Sequence, residues 1–368
     1  MSKEKTSIGP WLFLSILVIP TMSYGLMNAP HYGVRVMGAN GYLGFLVAAC
    51  LTLPGIGAIY LLAKLFPGKS IIEQGKYILS PVLGFLTGSI YLFFNLFAVA
   101  MYTRDIANLV GTYFLDQTPI LALAFIFILV AAYAASRGIE TISRWTCFVM
   151  IPALIVVLGL TLLGFQNFQW THILPLASPR WGDYIYGGLS TFDVYYLIGV
   201  SAMSLPFLNR KTDYPRLAGG AIIFIMLFFT VYSIGAVGNF GHQYVLRLAW
   251  PGLEFVRDID LPYLLIEQAG LLMLIVWVTM IIVGTGYLYY IVGLGWSQLT
   301  GALDYKRWVW ILLPVIVLMI TLPQGVIASK MAFDFIISIG WIIIISYPIL
   351  LWLIAILFKR RRSNVDQA

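Results

Sequence analysis

Charge is the scarcest resource of this chain. Of its 368 residues only 10% are Asp, Glu, Lys or Arg, and 61% are hydrophobic; a soluble domain carries about 25% charge. The shortage excludes a soluble globular protein and leaves little material for a soluble domain. Cysteine is nearly absent. The two present, Cys50 and Cys147, lie inside apolar runs, so no disulfide framework is indicated. The three histidines, His31, His172 and His242, are scattered, and no HExxH or CxxC occurs. A metal site, a bound cofactor and an enzymatic centre therefore have no support. Gly68-Lys69-Ser70 is like the end of a phosphate-binding loop, but Ala63 stands where that loop needs glycine. No Asn-x-Ser/Thr sequon is present. The formal net charge is +7, yet the basic residues sit in short loops, which argues against a nucleic-acid partner. Lys3 and Lys5 before an apolar run imitate a signal peptide, but the apolar pattern continues past Pro30. A retained first membrane span is expected.

Long hydrophobic runs are what the sequence does have. Ten are expected to cross the bilayer, at roughly 10–37, 41–64, 81–112, 118–136, 141–164, 182–208, 215–240, 263–297, 308–323 and 332–358. With the N-terminus inside, every Lys and Arg falls on the inner side except Arg35, Arg104, Arg180, Arg247, Arg257 and Lys330. That asymmetry obeys the positive-inside rule and puts both termini inside. Ten spans divide into five plus five of opposite topology, so the expected fold is an all-α polytopic membrane protein with an inverted repeat. The chain reads as one transmembrane domain, with repeats at about 10–164 and 182–358 and a basic tail at 359–368. External segments are expected at 165–181, 241–262 and 324–331. On the inside, 70–80 suits a short amphipathic interfacial helix. Gly84 and Gly88 form a GxxxG pair, which favours close helix packing.

Spans one and six, which open the two halves, are interrupted. The first interruption is expected at Pro20-Thr21-Met22-Ser23-Tyr24-Gly25 and the second at Ser190-Thr191-Phe192-Asp193-Val194-Tyr195. Each lies about 10 residues into its span, near the middle of ~30 Å of hydrocarbon. Matched broken helices are the sequence pointer to a binding site at the membrane midplane. Asp193 is the one carboxylate deep in a span; burying its charge there costs at least ~2.5 kcal/mol. It suits a ligand amine, a coupled cation or a proton, unless it is a structural carboxylate bonded to Tyr195, Tyr196 or a helix end. In the first break Thr21, Ser23, Tyr24 and Gly25 offer hydroxyls and exposed backbone. The next half-helix start suits a carboxylate and the preceding half-helix end suits an ammonium. A zwitterion such as an α-amino acid fits both; a plain Pro/Gly kink is the alternative. Asn95 in span three, and Trp277 and Thr279 in span eight, are candidates to line the same site or to bridge helices. Arg104 and Asp105 are chain neighbours that do not face each other, so snorkelling or partners on other helices are expected.

One stretch carries a family resemblance. Tyr133-Ala-Ala-Ser-Arg137-Gly138-Ile139-Glu140-Thr141-Ile142-Ser143-Arg144-Trp145 resembles the cytoplasmic link between spans four and five of spore germinant receptor B subunits. Phe66-Pro67-Gly68-Lys69, Thr118-Pro119, Leu205-Pro206-Phe207 and Trp250-Pro251 with Leu253-Glu254 follow in the right order. Ser23-Tyr24-Gly25 and Pro30-His31 stand where many members carry a Gly-x-Gly-like turn and a Pro-Arg pair. The resemblance implies membership of the amino acid–polyamine–organocation superfamily and a place in the spore inner membrane. It implies a nutrient sensor, the nutrient commonly being an amino acid, sugar or nucleoside, with a membrane A subunit and a C-subunit lipoprotein as partners. Ligand would bind between spans one, three, six and eight and trigger germination. Arg137, Gly138, Glu140 and Arg144 would serve conformational change or subunit contact. The alternative is a secondary amino-acid transporter coupled to H⁺ or Na⁺.

Overall fold

The computed structural model describes residues 7–174, 180–259 and 269–365. Sixteen α-helices follow one another: α1 (Pro10–Gly25), α2 (Ala29–Met37), α3 (Leu43–Leu65), α4 (Ile71–Ile78), α5 (Pro81–Tyr113), α6 (Ile120–Ser136), α7 (Ile139–Leu163), α8 (Trp181–Ser190), α9 (Tyr196–Val200), α10 (Tyr214–Phe240), α11 (His242–Val245), α12 (Pro251–Arg257), α13 (Ala269–Thr300), α14 (Tyr305–Thr321), α15 (Gly325–Trp341) and α16 (Tyr347–Val365). Among the described residues there is no strand, only one isolated parallel bridge between Ile8 and Leu208. The expected residues Lys3, Lys5, Pro175, Pro179, Asp260 and the start of span eight lie outside the described residues.

Helices α3, α5, α7, α10 and α13 are each long and apolar enough to cross a bilayer. Two further pairs qualify as bent spans: α1 with α2, bent by 61°, and α14 with α15, bent by 120°. Among the described residues, length and composition thus support five crossings, or up to seven with each bent pair taken as one. The long helices turn apolar residues outward. Phe148, Ile155 and Leu162 of α7 and Val82 of α5 are all exposed, as helices facing lipid require.

The first break lies elsewhere than the sequence suggested. The helix runs through Pro20–Gly25, and the chain turns at Leu26, Met27 and Asn28. Pro30 explains the shift. It has no N–H for the carbonyl of Leu26 and its ring clashes there, while a proline within the first turn suits the start of α2. The second break lies where expected but extends further. Helix α8 ends at Ser190, Phe192–Tyr195 form a 3₁₀ turn, and α9 adds five residues before the chain turns again. The tenth run also differs: α15 and α16 join through a π-helical segment, Ile342–Ser346, so helix begins at Gly325 rather than near 332.

The short helix expected after span two is present as α4. Ser70 and Glu73 form a reciprocal capping box at its start. Lys76 donates to the carbonyls of Gln298, at 3.0 Å, and Leu299, so α4 is tied to the C-terminal end of α13, where a cation suits the helix dipole. A Cβ on Gly84 would lie 2.3 Å from the Lys76 backbone; this glycine lets α4 lie directly against α5.

Candidate functional site

The two breaks face each other. A Cβ added at Gly25 would lie 2.5 Å from the Phe229 ring and 2.8 Å from Val194, so only glycine lets the end of α1 meet the second break. Tyr24, one residue earlier, stacks on Tyr102 of α5 with ring centroids 3.6 Å apart. Its hydroxyl donates to Thr285 of α13 at 3.2 Å. The Tyr102 hydroxyl donates to Asp193 Oδ1 at 2.9 Å. Phe333 of α15 packs edge-on against the Tyr102 ring at 5.1 Å. Three tyrosine and carboxylate groups from α1, α5 and the second break thus form one chain, Tyr24 to Tyr102 to Asp193.

Asp193 is 4% exposed, and its second oxygen, Oδ2, has no hydrogen-bond partner among the described residues. No Lys or Arg among them pairs with it. The buried hydroxyls of Thr21 and Tyr32 are also unpartnered. Orphaned buried polar groups are costly, and those of Thr21, Tyr32 and Asp193 come from α1, α2 and the second break. What the arrangement offers is an acceptor beside stacked aromatic rings, which suits a protonated amine.

Other predicted residues take structural bonds. Trp277 Nε1 donates to the carbonyl of Ser23 at 2.7 Å, and Ser23 Oγ donates to the carbonyl of Pro20 at 2.7 Å. Both polar atoms of Asn95 are engaged: its amide nitrogen donates to the carbonyl of Tyr91, and its oxygen accepts from Tyr196, each at 2.7 Å. Ser190 donates to the carbonyl of Tyr32 at 3.0 Å, fastening α8 to α2. Thr191 turns back on Gly187. Phe192 is buried, and the Tyr195 hydroxyl reaches the carbonyl of Phe45 on α3. Thr279 is not brought to the site. It is exposed and donates to its own helix at Ile275, because two residues along a helix turn the side chain by about 200° from Trp277.

Sequence reasoning missed Tyr102, Thr285, Tyr32 and Phe333. One signal was available: Tyr102 lies seven residues after Asn95, two turns along the same helix face.

Both ends of this cluster are closed. At one end Asp105 accepts from Asn28 and from Trp250 Nε1, each at 3.1 Å. Lys330 donates to Asn28 Oδ1 at 3.1 Å and to the carbonyl of Ala249 at 2.5 Å, above the Trp250 ring. Gly252 N–H donates to the carbonyl of Met27 within the first break. Asp105 thus finds its partners on other elements, as expected, while Arg104 reaches the carbonyl of Ile320 at 3.4 Å. At the other end Ile8 N–H donates to Phe207 and Asn209 N–H to Ile8. Tyr287 bonds Ser204, and Tyr214 bonds Ser201.

With this geometry in view, comparison with known proteins is decisive. Residues 7–326 match the family described as "Spore germination protein". The chain belongs to that family. Spore germination protein YndE of Bacillus subtilis (strain 168) is 21% identical over 350 residues, covering 94% of this chain and 95% of that protein. Spore germination protein B2 of the same organism is 20% identical, covering 69% of each. Among solved structures, MhsT in complex with L-phenylalanine superposes with a TM-score of 0.69 at 15% identity, over 95% of this chain and 88% of that one. MHP1, a nucleobase-cation-symport-1 family transporter with bromovinylhydantoin bound, gives 0.63 at 13% identity, over 92% and 76%. The chain therefore has a transporter fold and is an integral membrane protein. Its family and fold neighbours are germination proteins and transporters, not enzymes.

The link that carried the resemblance is well formed in this spore germination protein. Gly138 has φ +87°, a conformation that favours glycine. The Arg137 guanidinium stacks on Tyr133, and Arg144 pairs with Glu140 at 2.7 Å on the exposed surface of α7. None of these side chains bonds to the tyrosine–aspartate cluster.

Proposed function

We propose that this protein is the nutrient-sensing subunit of a spore germinant receptor. It crosses the spore inner membrane ten times as two inverted repeats, about 10–164 and 182–358. Both termini, including the basic tail 359–368, lie on the core side. The nutrient, an amino acid first among the candidates, binds near the midplane between spans one, three, six and eight. The residues proposed to line or shape that pocket are Thr21, Ser23, Tyr24, Gly25, Asn95, Ser190, Thr191, Phe192, Asp193, Tyr195 and Trp277. Tyr102 and Thr285 join them. A membrane A subunit and a C-subunit lipoprotein read the resulting shift, with the Arg137–Arg144 link as a contact or conformational element.

The observation that carries this reading is the unpartnered Asp193 oxygen in a buried aromatic cluster where two interrupted helices meet. Binding in such a place favours one arrangement of the half-helices over another only through differential affinity for the two. The test is a thermal-unfolding screen of the purified protein against amino acids, sugars and nucleosides. A ligand at about 100 times its Kd should add ~2.7 kcal/mol of stability, and Asp193→Asn should abolish that gain while the protein still inserts. A hit that survives both Asp193→Asn and Tyr24→Ala would move the pocket elsewhere.

The transporter fold supports a second reading, secondary amino-acid transport coupled to H⁺ or Na⁺ through Asp193. Uptake by reconstituted vesicles under an imposed H⁺ or Na⁺ gradient separates the two, since a receptor predicts binding without uptake.

A further inference from the structure

An open cleft lies apart from the tyrosine–aspartate cluster. It offers about 390 Å³ where the end of α10, helix α11 and the 3₁₀ turn Trp170–His172 meet. Small-molecule sites occupy roughly 300–1,000 Å³. Its polar lining includes His172, His242, Gln243 and Arg247, and no Asp or Glu among the described residues lines it. Phe240 and Tyr244, with ring centroids 5.8 Å apart, supply an apolar wall. Arg247 is exposed and pairs with no carboxylate among the described residues. The His172 ring is fixed, with Nδ1 2.8 Å from the carbonyl of Gly238.

The cleft also touches the first broken helix. A Cβ on Gly38, at the end of α2, would lie 3.8 Å from the His242 ring. Val245 of α11 packs with Val34 of α2, Ile173 and Val237 in a small core separate from the main one. A molecule held against α11 would therefore bear on the outer half of span one.

We propose that this cleft binds a small organic anion, a carboxylate on an apolar or aromatic body. Arg247 anchors the carboxylate, His242 and Gln243 flank it, and Phe240 and Tyr244 cover the body. An unpaired guanidinium in a cleft free of acidic groups selects negative charge, and the two rings select apolar surface. A metal ion is disfavoured, since the guanidinium repels it and the described residues hold no group of three His, Cys, Asp or Glu.

The experiment is thermal unfolding of the purified full-length protein with benzoate as probe, against benzamide at the same ionic strength. Benzoate should raise Tm saturably and benzamide should not. Arg247→Gln should weaken the benzoate Kd about tenfold or more, from loss of a charge-assisted bond, with Tm in the absence of probe unchanged. His242→Asn should weaken it less and serves if Arg247→Gln proves unstable. Asp193→Asn should leave the benzoate response intact, which makes failure here distinct from failure of the nutrient pocket. No saturable difference between benzoate and benzamide, or an unchanged Kd in the Arg247 and His242 variants, would overturn the proposal.

Discussion

The two ends of the tyrosine–aspartate cluster are closed by different chemistry. At the Lys330 end the closure is ionic: an ammonium, a carboxylate, an amide and an indole from four elements share one network. At the Ile8 end it is a main-chain bridge and two Ser–Tyr hydroxyl pairs. Neutral hydroxyl bonds contribute about 1 kcal/mol each, whereas bonds to charged groups contribute roughly 1.5–3. Partial loss of an ionic network also strands a buried charge. The Lys330 end is thus the more cooperative closure, and the Ile8 end yields in smaller steps.

Four substitutions test that contrast, and a fifth, remote from both ends, serves as control. Gly252→Ala should act most strongly. Its Cβ would lie 2.1 Å from the carbonyl oxygen of Leu26 and 3.0 Å from the Met27 Cα, and backbone on both sides cannot give way. A loss of about 3 kcal/mol is expected, the upper range for overpacking, read as a fall in Tm. Lys330→Met should cost about 2 kcal/mol by removing the ammonium bonds. In a double-mutant cycle with Asp105→Asn, the two losses should fall short of additive by about 1 kcal/mol, as for members of one network; strict additivity would separate them. Ser204→Ala should cost about 1 kcal/mol and show no coupling to Lys330→Met. Thr279→Val, on the exposed face of α13, should stay within about 0.5 kcal/mol and leave any ligand response unaltered.

Much of this was legible in the sequence, and the remainder failed for definite reasons. The apolar runs marked the helices α3, α5, α7, α10 and α13, because lipid demands length and apolarity together. The pairing of broken helices was readable from Pro, Gly and polar residues inside two runs. The position of the first turn was not, since Pro20 and Pro30 compete and the partner that fills the gap, Gly252, lies more than 220 residues away. Asp193 stood out as the lone deep carboxylate. Its partner Tyr102 did not, because among 22 tyrosines its one mark is the seven-residue spacing from Asn95. Thr279 lies close to Trp277 in sequence, but helix phase sets them on different faces.

Under the proposed function, the stacked rings of Tyr24 and Tyr102, 3.6 Å apart, carry a consequence for sensitivity. Rings in contact occupy space that a guest in the proposed pocket would need, so binding there requires them to part. Apparent affinity is then reduced by the fraction of molecules in which they are parted. A guest would then fill the site only at a concentration raised by the reciprocal of that fraction. In the proposed receptor the aromatic pair would thus set how much ligand is needed before the site fills.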